Sequence, residues 1–347
     1  MTGRPRNEPR EDDMKLDRMT IRAAVLGAVL ALPASGAMAD DPIKMIMNWT
    51  ADSAHLGFAV AQQSGIYAEA GLDVTLEEGR GSAVAAQMVA TGQADIGLAD
   101  AGAALNVAAQ GAPIRIVSTI WKSGQFGIQA LASSGIEGPA DLKGKKIAVP
   151  PGSAMVALVP VLLSENGLTE DDVEIVSANQ NAFLGLLTSG EVDAVAETPE
   201  NIVVPLAAEG VEASNMYFYN HGVPLVSLSL VARDDKLSEN PDLYKRFIEA
   251  TAQGWQQAIA DPEAAVAALR ATFPDIEGDD AALLQGAAYS FSSVCPGGTG
   301  DAIGATPAET WDQVYSVMTG AMEFSTDRPI STYYTNDYLP EEPVACP

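Results

Sequence analysis

From Ile43 onward the chain alternates short apolar segments with longer segments of helical period, and no other feature constrains its fold as much. Lys44-Met45-Ile46-Met47 predicts a strand. The segment 55–70 then places Leu56, Ala59, Val60, Gln63 and Tyr67 on one helical face before Gly71 closes it. Residues 73–77 alternate as a strand, Gly79-Arg80-Gly81 turns, and Ser82 is expected to cap a helix carrying Val84, Ala85, Met88 and Val89 to a stop at Gly92. Residues 94–99 predict a strand, 101–110 a helix of small residues, and 114–120 a β-branched strand. A second set begins after Gly135, with strands over 147–149, 173–176 and 192–196 separated by helices over 155–166 and 182–189. Residues 226–231 predict a strand that leads the chain back, and helices over 241–260, 262–271, 279–291 and 307–324 follow.

Strands joined by crossover helices imply sheets covered on both faces. The expected class is therefore α/β with two lobes, each a mostly parallel sheet flanked by helices, and a ligand cleft between them. The first lobe takes residues 40–128 and 229–347, and the second takes 129–228.

Residues 19–39 read as an export signal. Arg18 and Arg22 supply positive charge, 23–32 is an apolar run, Pro33 breaks the helix and Ala37-Met38-Ala39 offers a cleavage site. A membrane anchor is the alternative, but a bilayer-crossing helix needs roughly 20 apolar residues, about twice this run. Met1, Met14 and Met19 are each candidate starts, and no Cys beside the cleavage site suggests a lipid anchor. The expected product is periplasmic and monomeric. Past residue 39 it carries 13 Lys and Arg against 41 Asp and Glu, and so strong a negative charge argues against nucleic acid and anionic lipid as partners.

In an oxidising compartment Cys295 and Cys346 are expected to form one structural disulfide tying the C-terminal tail to the body; a reactive pair would favour C-x-x-C spacing. With two Cys and two His in the chain, a four-ligand zinc cage is not expected, nor is any other metal or cofactor. The sequence contains no G-x-S-x-G elbow, H-E-x-x-H helix or Walker loop, so hydrolase and NTPase chemistry lack carriers and no enzyme activity is expected.

Small-residue turns that open helices are the more informative feature. Gly81-Ser82 and Gly152-Ser153 each place backbone N–H groups and a hydroxyl at a helix start, as simple caps or as donors to a ligand. Asn48-Trp49 ends the first strand, at the edge where open α/β sheets bind ligands. There Trp49 either stacks on a planar ligand or packs between lobes, while Asn48 offers a donor and an acceptor. Trp121, Phe126, Tyr217 and Tyr219 are further aromatic candidates near strand ends.

Several stretches carry a family resemblance: Asn48-Trp49-Thr50-Ala51-Asp52-Ser53-Ala54-His55, Gly65-Ile66-Tyr67-Ala68-Glu69-Ala70-Gly71-Leu72-Asp73-Val74, and Gly92-Gln93-Ala94-Asp95-Ile96-Gly97. Asp141-Leu142-Lys143-Gly144-Lys145-Lys146, Gly190-Glu191-Val192-Asp193-Ala194 and Thr335-Asn336-Asp337-Tyr338-Leu339 belong to the same set. Through them, residues 43–340 resemble the NMT1/THI5-like periplasmic substrate-binding proteins of ABC importers, which include binders of thiamine pyrimidine precursors and, more distantly, of sulfonates, taurine and nitrate. The resemblance implies a binding protein that delivers a small planar ligand to an inner-membrane permease. Trp49, His55 and Glu197 point to the pyrimidine branch, with a carboxylate at Glu197 pairing with an aminopyrimidine or else facing water at the rim. Ala51 and Ala54 depart from the Pro and Asn that pyrimidine binders usually carry there. The candidate ligand contacts are Asn48, Trp49, His55, Ser82, Asp100, Gly152, Ser153, Glu197 and Asn201. Sulfonate, taurine, nitrate and flavin are the alternative ligands, and a pyrimidine-synthesising enzyme on the same fold is the alternative class.

Overall fold

The computed structural model describes residues 1–3, 40–151, 153–276, 278–321 and 324–347. The expected export signal over 19–39 and the turn residue Gly152 lie outside the described residues. Residues 40–347 form one compact unit.

Its strands, in chain order, are β1 (Asp41–Ile46), β2 (Leu72–Glu77), β3 (Ile96–Asp100), β4 (Ile114–Thr119), β5 (Gly127–Leu131), β6 (Lys146–Val149), β7 (Glu174–Ser177), β8 (Ala194–Glu197), β9 (Ala213–Tyr217) and β10 (Leu228–Arg233). The helices are α1 (Leu56–Gln63), α2 (Ile66–Glu69), α3 (Ser82–Ala90), α4 (Ala101–Ala109), α5 (Met155–Glu165), α6 (Phe183–Ser189), α7 (Pro199–Ala208), α8 (Asp234–Glu239), α9 (Pro241–Ala260), α10 (Pro262–Thr272), α11 (Asp280–Val294) and α12 (Ala308–Ala321). Among the described residues no helix is long and apolar enough to cross a membrane.

The strands form two five-stranded sheets, in the orders β2-β1-β3-β10-β4 and β7-β6-β8-β5-β9. Each sheet is parallel except for one strand. β10 runs antiparallel to β3 and β4, and β5 runs antiparallel to β8 and β9. These two are the strands reached directly after the chain crosses between sheets, so each enters its new sheet in the reverse sense. The central strands read as continuous apolar runs because both their faces are covered, as in Ile96-Gly97-Leu98-Ala99.

The helix expected over 55–70 is two helices. Gly65 adopts φ 76°, a left-handed conformation that ends α1 and starts α2. The C-terminal helices return to the first sheet, where the amphipathic α9 buries Tyr244, Phe247 and Trp255. Trp255 meets Phe58 of α1 edge-on at 6.0 Å and Phe291 of α11 at 6.5 Å, so three helices share one aromatic cluster. Cys295, just past α11, is bonded to Cys346 in the tail.

Two crossovers, residues 120–126 and 218–227, join the sheets and pair with each other. Ser227 N–H donates to the Trp121 carbonyl at 3.0 Å, Gly124 N–H to Leu225 at 2.6 Å and Phe218 N–H to Phe126 at 2.9 Å. Two short hydrogen-bonded connections of this kind let two lobes rotate about one line, as hinges do.

Candidate binding site between the two sheets

The carboxyl ends of β1, β2 and β3 lie on one edge of the first sheet, and those of β6 and β8 on one edge of the second. The loops from these edges meet beside the crossovers. Asn48 and Trp49 follow β1, and their carbonyls grip the turn after β2: Gly81 N–H donates to Asn48 at 2.7 Å and Gly79 N–H to Trp49 at 3.0 Å. A side chain at residue 79 is excluded, since its Cβ would lie 1.7 Å from the Met47 carbonyl oxygen. Trp49 is 54% exposed, which a core residue of that size would not be.

His55 is fully enclosed and fixes this loop. Its Nε2 lies 3.0 Å from Asn48 Oδ1, and its Nδ1 lies 3.2 Å from the Asp52 backbone nitrogen and 3.0 Å from the Asp52 carboxylate oxygen Oδ1. Burial pushes the Asp52 carboxyl up, but the adjacent imidazole and the Ala54 N–H outweigh it and hold the carboxyl below its usual range. Ser82 opens α3 but does not cap it; the cap position is Gly81 and no side-chain bond forms there. Asp100, which ends β3, caps α4 through Gly102 N–H at 3.0 Å and Ala103 N–H at 3.4 Å, while its other oxygen accepts from the Ser227 hydroxyl of the second crossover at 3.1 Å. Burial raises the Asp100 carboxyl, and these three bonds pull it back only in part.

On the second sheet, the Ser153 hydroxyl donates to the Pro150 carbonyl at 2.8 Å, one residue before the position that leads into α5. Glu197 ends β8 and turns inward, 7% exposed. Its Oε1 accepts from Thr198 N–H at 3.0 Å and from the Asn201 amide at 3.3 Å, and Asn201 also donates to the Thr198 hydroxyl at 3.2 Å. These three residues therefore brace the start of α7.

Between the edges lies a cavity of about 110 Å³. It takes Asp100 from the first sheet, Thr198 from the second, Trp121, Gln125 and Ser227 from the crossovers, and Met318 from α12. Trp121 is 8% and Gln125 6% exposed, and neither Trp121 Nε1 nor Gln125 Nε2 finds an acceptor in the protein. Buried donors without partners are rare and costly, about 1–3 kcal/mol each, and a ligand acceptor would satisfy them. Larger outer grooves, of about 570 Å³ beside Glu165 and Tyr219 and about 400 Å³ beside Thr50 and Phe273, have no unpaired buried polar group in their lining. Among the described residues no group of three or more His, Cys, Asp or Glu side chains is placed to hold a metal ion.

Sequence reasoning missed Glu200, in the first turn of α7. Burial raises its carboxyl to about 7, the charge of Asp52 adds to the rise, and Thr198 and Gln125 oppose it. The signal was available: Glu200 follows Pro199 at the start of a helix, a favoured place for an acid.

A family model for NMT1/THI5 like proteins matches residues 52–265. The chain belongs to this family. Among its relatives, this NMT1/THI5-like chain is 28% identical over 243 residues to a Haemophilus influenzae protein named for thiamine biosynthesis, covering 70% of this chain and 76% of that one. It is 25% identical over 237 residues to a 4-amino-5-hydroxymethyl-2-methylpyrimidine phosphate synthase of Saccharomyces cerevisiae, covering 65% and 69%. Among solved structures, the periplasmic aliphatic sulphonate binding protein of Escherichia coli superposes with a TM-score of 0.61 at 15% identity, over 80% of this chain and 86% of that one. At that identity the likeness establishes the fold, the two-lobed α/β architecture of periplasmic binding proteins.

Proposed function

We propose that the protein is the soluble substrate-binding component of an ABC importer, exported to the periplasm, where it captures a small planar heteroaromatic molecule and delivers it to a membrane permease. A thiamine pyrimidine precursor, a hydroxymethyl- or formylamino-pyrimidine, is the ligand that best fits the family and its relatives. One observation carries the proposal. Two buried polar groups without a hydrogen-bond partner, Trp121 Nε1 and Gln125 Nε2, line the cavity between the sheets, and both belong to the crossover on which the lobes turn. A ligand that accepts from them closes the lobes and completes their hydrogen bonding in one step, which links capture to a shape the permease reads.

The remaining parts have separable roles. Trp49 offers an exposed ring for stacking, Asn48 is oriented by His55, and Ser153 and the turn before α5 supply polar groups from the second lobe. Glu197 and Asn201 brace the loop that carries the cavity residue Thr198. His55 has both ring nitrogens engaged within the loop, which gives it a positioning role.

The test is calorimetric titration of protein refolded to strip carried-over ligand, against aminopyrimidines, taurine, alkylsulfonates, nitrate and riboflavin. Micromolar or tighter binding, about −8 kcal/mol, to an aminopyrimidine alone supports the proposal. Binding only to an anion, or to a flavin, would overturn the ligand and keep the fold.

A further inference from the structure

Among the described residues Lys122 is the one Lys or Arg that is buried, at 8% exposure. It sits in the first crossover and does not line the cavity, although Trp121 and Gly124 on either side do. Its ammonium lies 2.5 Å from Asp301 Oδ2 and donates to the Ala302 carbonyl at 2.7 Å. The backbone changes partners at this residue. Ile120 and Trp121 N–H both donate to the Leu228 carbonyl of β10 at 2.9 Å, whereas Lys122 N–H donates to the Ser293 carbonyl in the last turn of α11 at 2.8 Å, with Ser123 N–H beside it at 3.3 Å. The last carbonyls of a helix have no partner within it, and here the crossover supplies one. Beyond them, Gly124 N–H already belongs to the pairing with Leu225 of the second crossover. Lys122 and Ser123 are therefore the last residues that the first lobe holds before the chain turns toward the second.

Asp301 is itself fixed on several sides. Its carboxyl accepts from Gly297 N–H at 3.1 Å, and a Cβ at residue 297 would come within 3.0 Å of that carboxyl, so glycine leaves it room. Its carbonyl accepts from Cys346 N–H at 2.7 Å, and Gly300 N–H donates to the Cys346 carbonyl at 2.9 Å. Cys346 in turn is bonded to Cys295, the first residue past α11. Further along the same loop, the Gly304 carbonyl accepts from Thr119 N–H at 2.9 Å and from the Ser118 hydroxyl at 3.1 Å. Loop 295–304 thus lies along the end of β4 and the start of the crossover, with the ammonium of Lys122 held inside it. Burying such a pair is a poor way to gain stability, because apolar side chains of similar volume often hold a fold as well; what directed bonds can add is one fixed arrangement.

We propose that Lys122 and Asp301 are positioning residues for binding: they form the fixed pivot of the first crossover, hold the adjoining Trp121 at the cavity, and confine lobe rotation to the residues after 123. The proposal rests on the crossovers acting as hinges between the lobes. With the pair in place, the segment 120–123 moves as part of the first lobe, and closure brings the second lobe onto a Trp121 whose position is already set. Without the pair, those residues join the flexible stretch, Trp121 moves with them, and the lobes sample a wider range of separations. A ligand must then select the competent shape from a broader set, which weakens its apparent affinity.

The distance between the lobes, measured by electron–electron double resonance, tests this without any ligand. Spin labels are placed at Gln87→Cys in α3 and Ser164→Cys in α5, exposed positions on the first and second lobe. Lys122→Met with Asp301→Leu replaces the pair by apolar side chains, and Asp301→Asn removes the charge while its amide oxygen can still accept from Gly297. The double variant is expected to keep a thermal transition close to that of wild type and to broaden the distance distribution roughly twofold, with Asp301→Asn broadening it less. A folded double variant whose distribution is no wider than that of wild type would overturn the proposal. So would failure of both variants to fold, since the pair would then supply stability and not position. If aminopyrimidine titration fails while the distribution broadens, only the named ligand is lost. If aminopyrimidines bind and the widths agree, the transport role stands and the pair is ordinary packing.

Discussion

Removing the Cys295–Cys346 bond should cost the folded state a calculable amount. The bond closes a separation of 51 residues, and the chain-entropy relation for such a loop gives about 4 kcal/mol at 25 °C. The contacts around it indicate that the loss is entropic, because the tail stays anchored without sulfur. Ile303 N–H donates to the Val344 carbonyl at 2.8 Å, Cys346 N–H to Asp301 at 2.7 Å, and the Gln256 amide to Ala345 at 2.7 Å. Cys295→Ala with Cys346→Ala avoids placing hydroxyls where Cys346 is 3% exposed. At about 2.1 cal/mol/K per residue, the entropy of unfolding for the residues after 39 is roughly 0.65 kcal/mol/K, so about 4 kcal/mol lowers Tm by about 6 °C. Urea titrations followed by circular dichroism should show a lower midpoint and a somewhat steeper slope, since the unfolded chain without the cross-link exposes more surface. A change below about 1 kcal/mol would refute the reasoning and mean that the unfolded chain is already held compact across this loop.

Trp49→Ala should weaken ligand binding at least tenfold while moving Tm by less than about 1 °C, since more than half of the ring is exposed; a stability loss without an affinity loss in calorimetry would make Trp49 a packing residue. His55→Ala should destabilise by about 2–4 kcal/mol in urea, because it leaves a cavity and strips Asn48 and Asp52 of their shared partner. Gly79→Ala should displace the turn after β2, because the new Cβ would meet the Met47 carbonyl oxygen, and should both lower Tm and weaken binding, read by thermal unfolding and the same titration. For the ligand-free protein, a Glu200 carboxyl raised from 4.5 to about 7 means that the folded state holds that proton more tightly than the unfolded one. Its stabilising effect is complete below about pH 4.5 and is lost as pH rises to about 7, by roughly 1–3 kcal/mol after allowance for partial exposure. Glu200→Gln should remove that component from a Tm-against-pH curve.

The alternation of strand and helix was legible because β1, β3, β6, β8 and β10 are apolar runs between sharp turns. β9 was not, since Ala213-Ser214-Asn215-Met216-Tyr217 lies at a sheet edge where partial exposure tolerates polar residues without alternation. α7 was hidden by Pro205, which reads as a helix breaker yet sits in the last turns of that helix. The site was legible as an edge and not as a set of contacts. Asn48 and Trp49 were singled out because strand ends are where open α/β sheets bind ligands, whereas Glu197 and Glu200 stand three residues apart and only the turn from β8 into α7 determines which of them is enclosed. Burial likewise separates His55 from Trp49, and the sequence places both on the same loop. The unused donors of Trp121 and Gln125 have no sequence signature, because an absent partner is a property of packing.

The position of β10 between β3 and β4 also orders events in time. The second sheet is built from one unbroken stretch, 127–217, so it can finish as soon as that stretch is available. The first sheet begins earlier in the chain and finishes later: β3 and β4 do not touch, and until Leu228–Arg233 slides between them the sheet stands as three strands and one stray, with apolar edges open. A chain made or threaded from its amino end therefore passes through an interval in which its oldest part is its least complete, and that interval is where a chaperone would be needed and where self-association would begin.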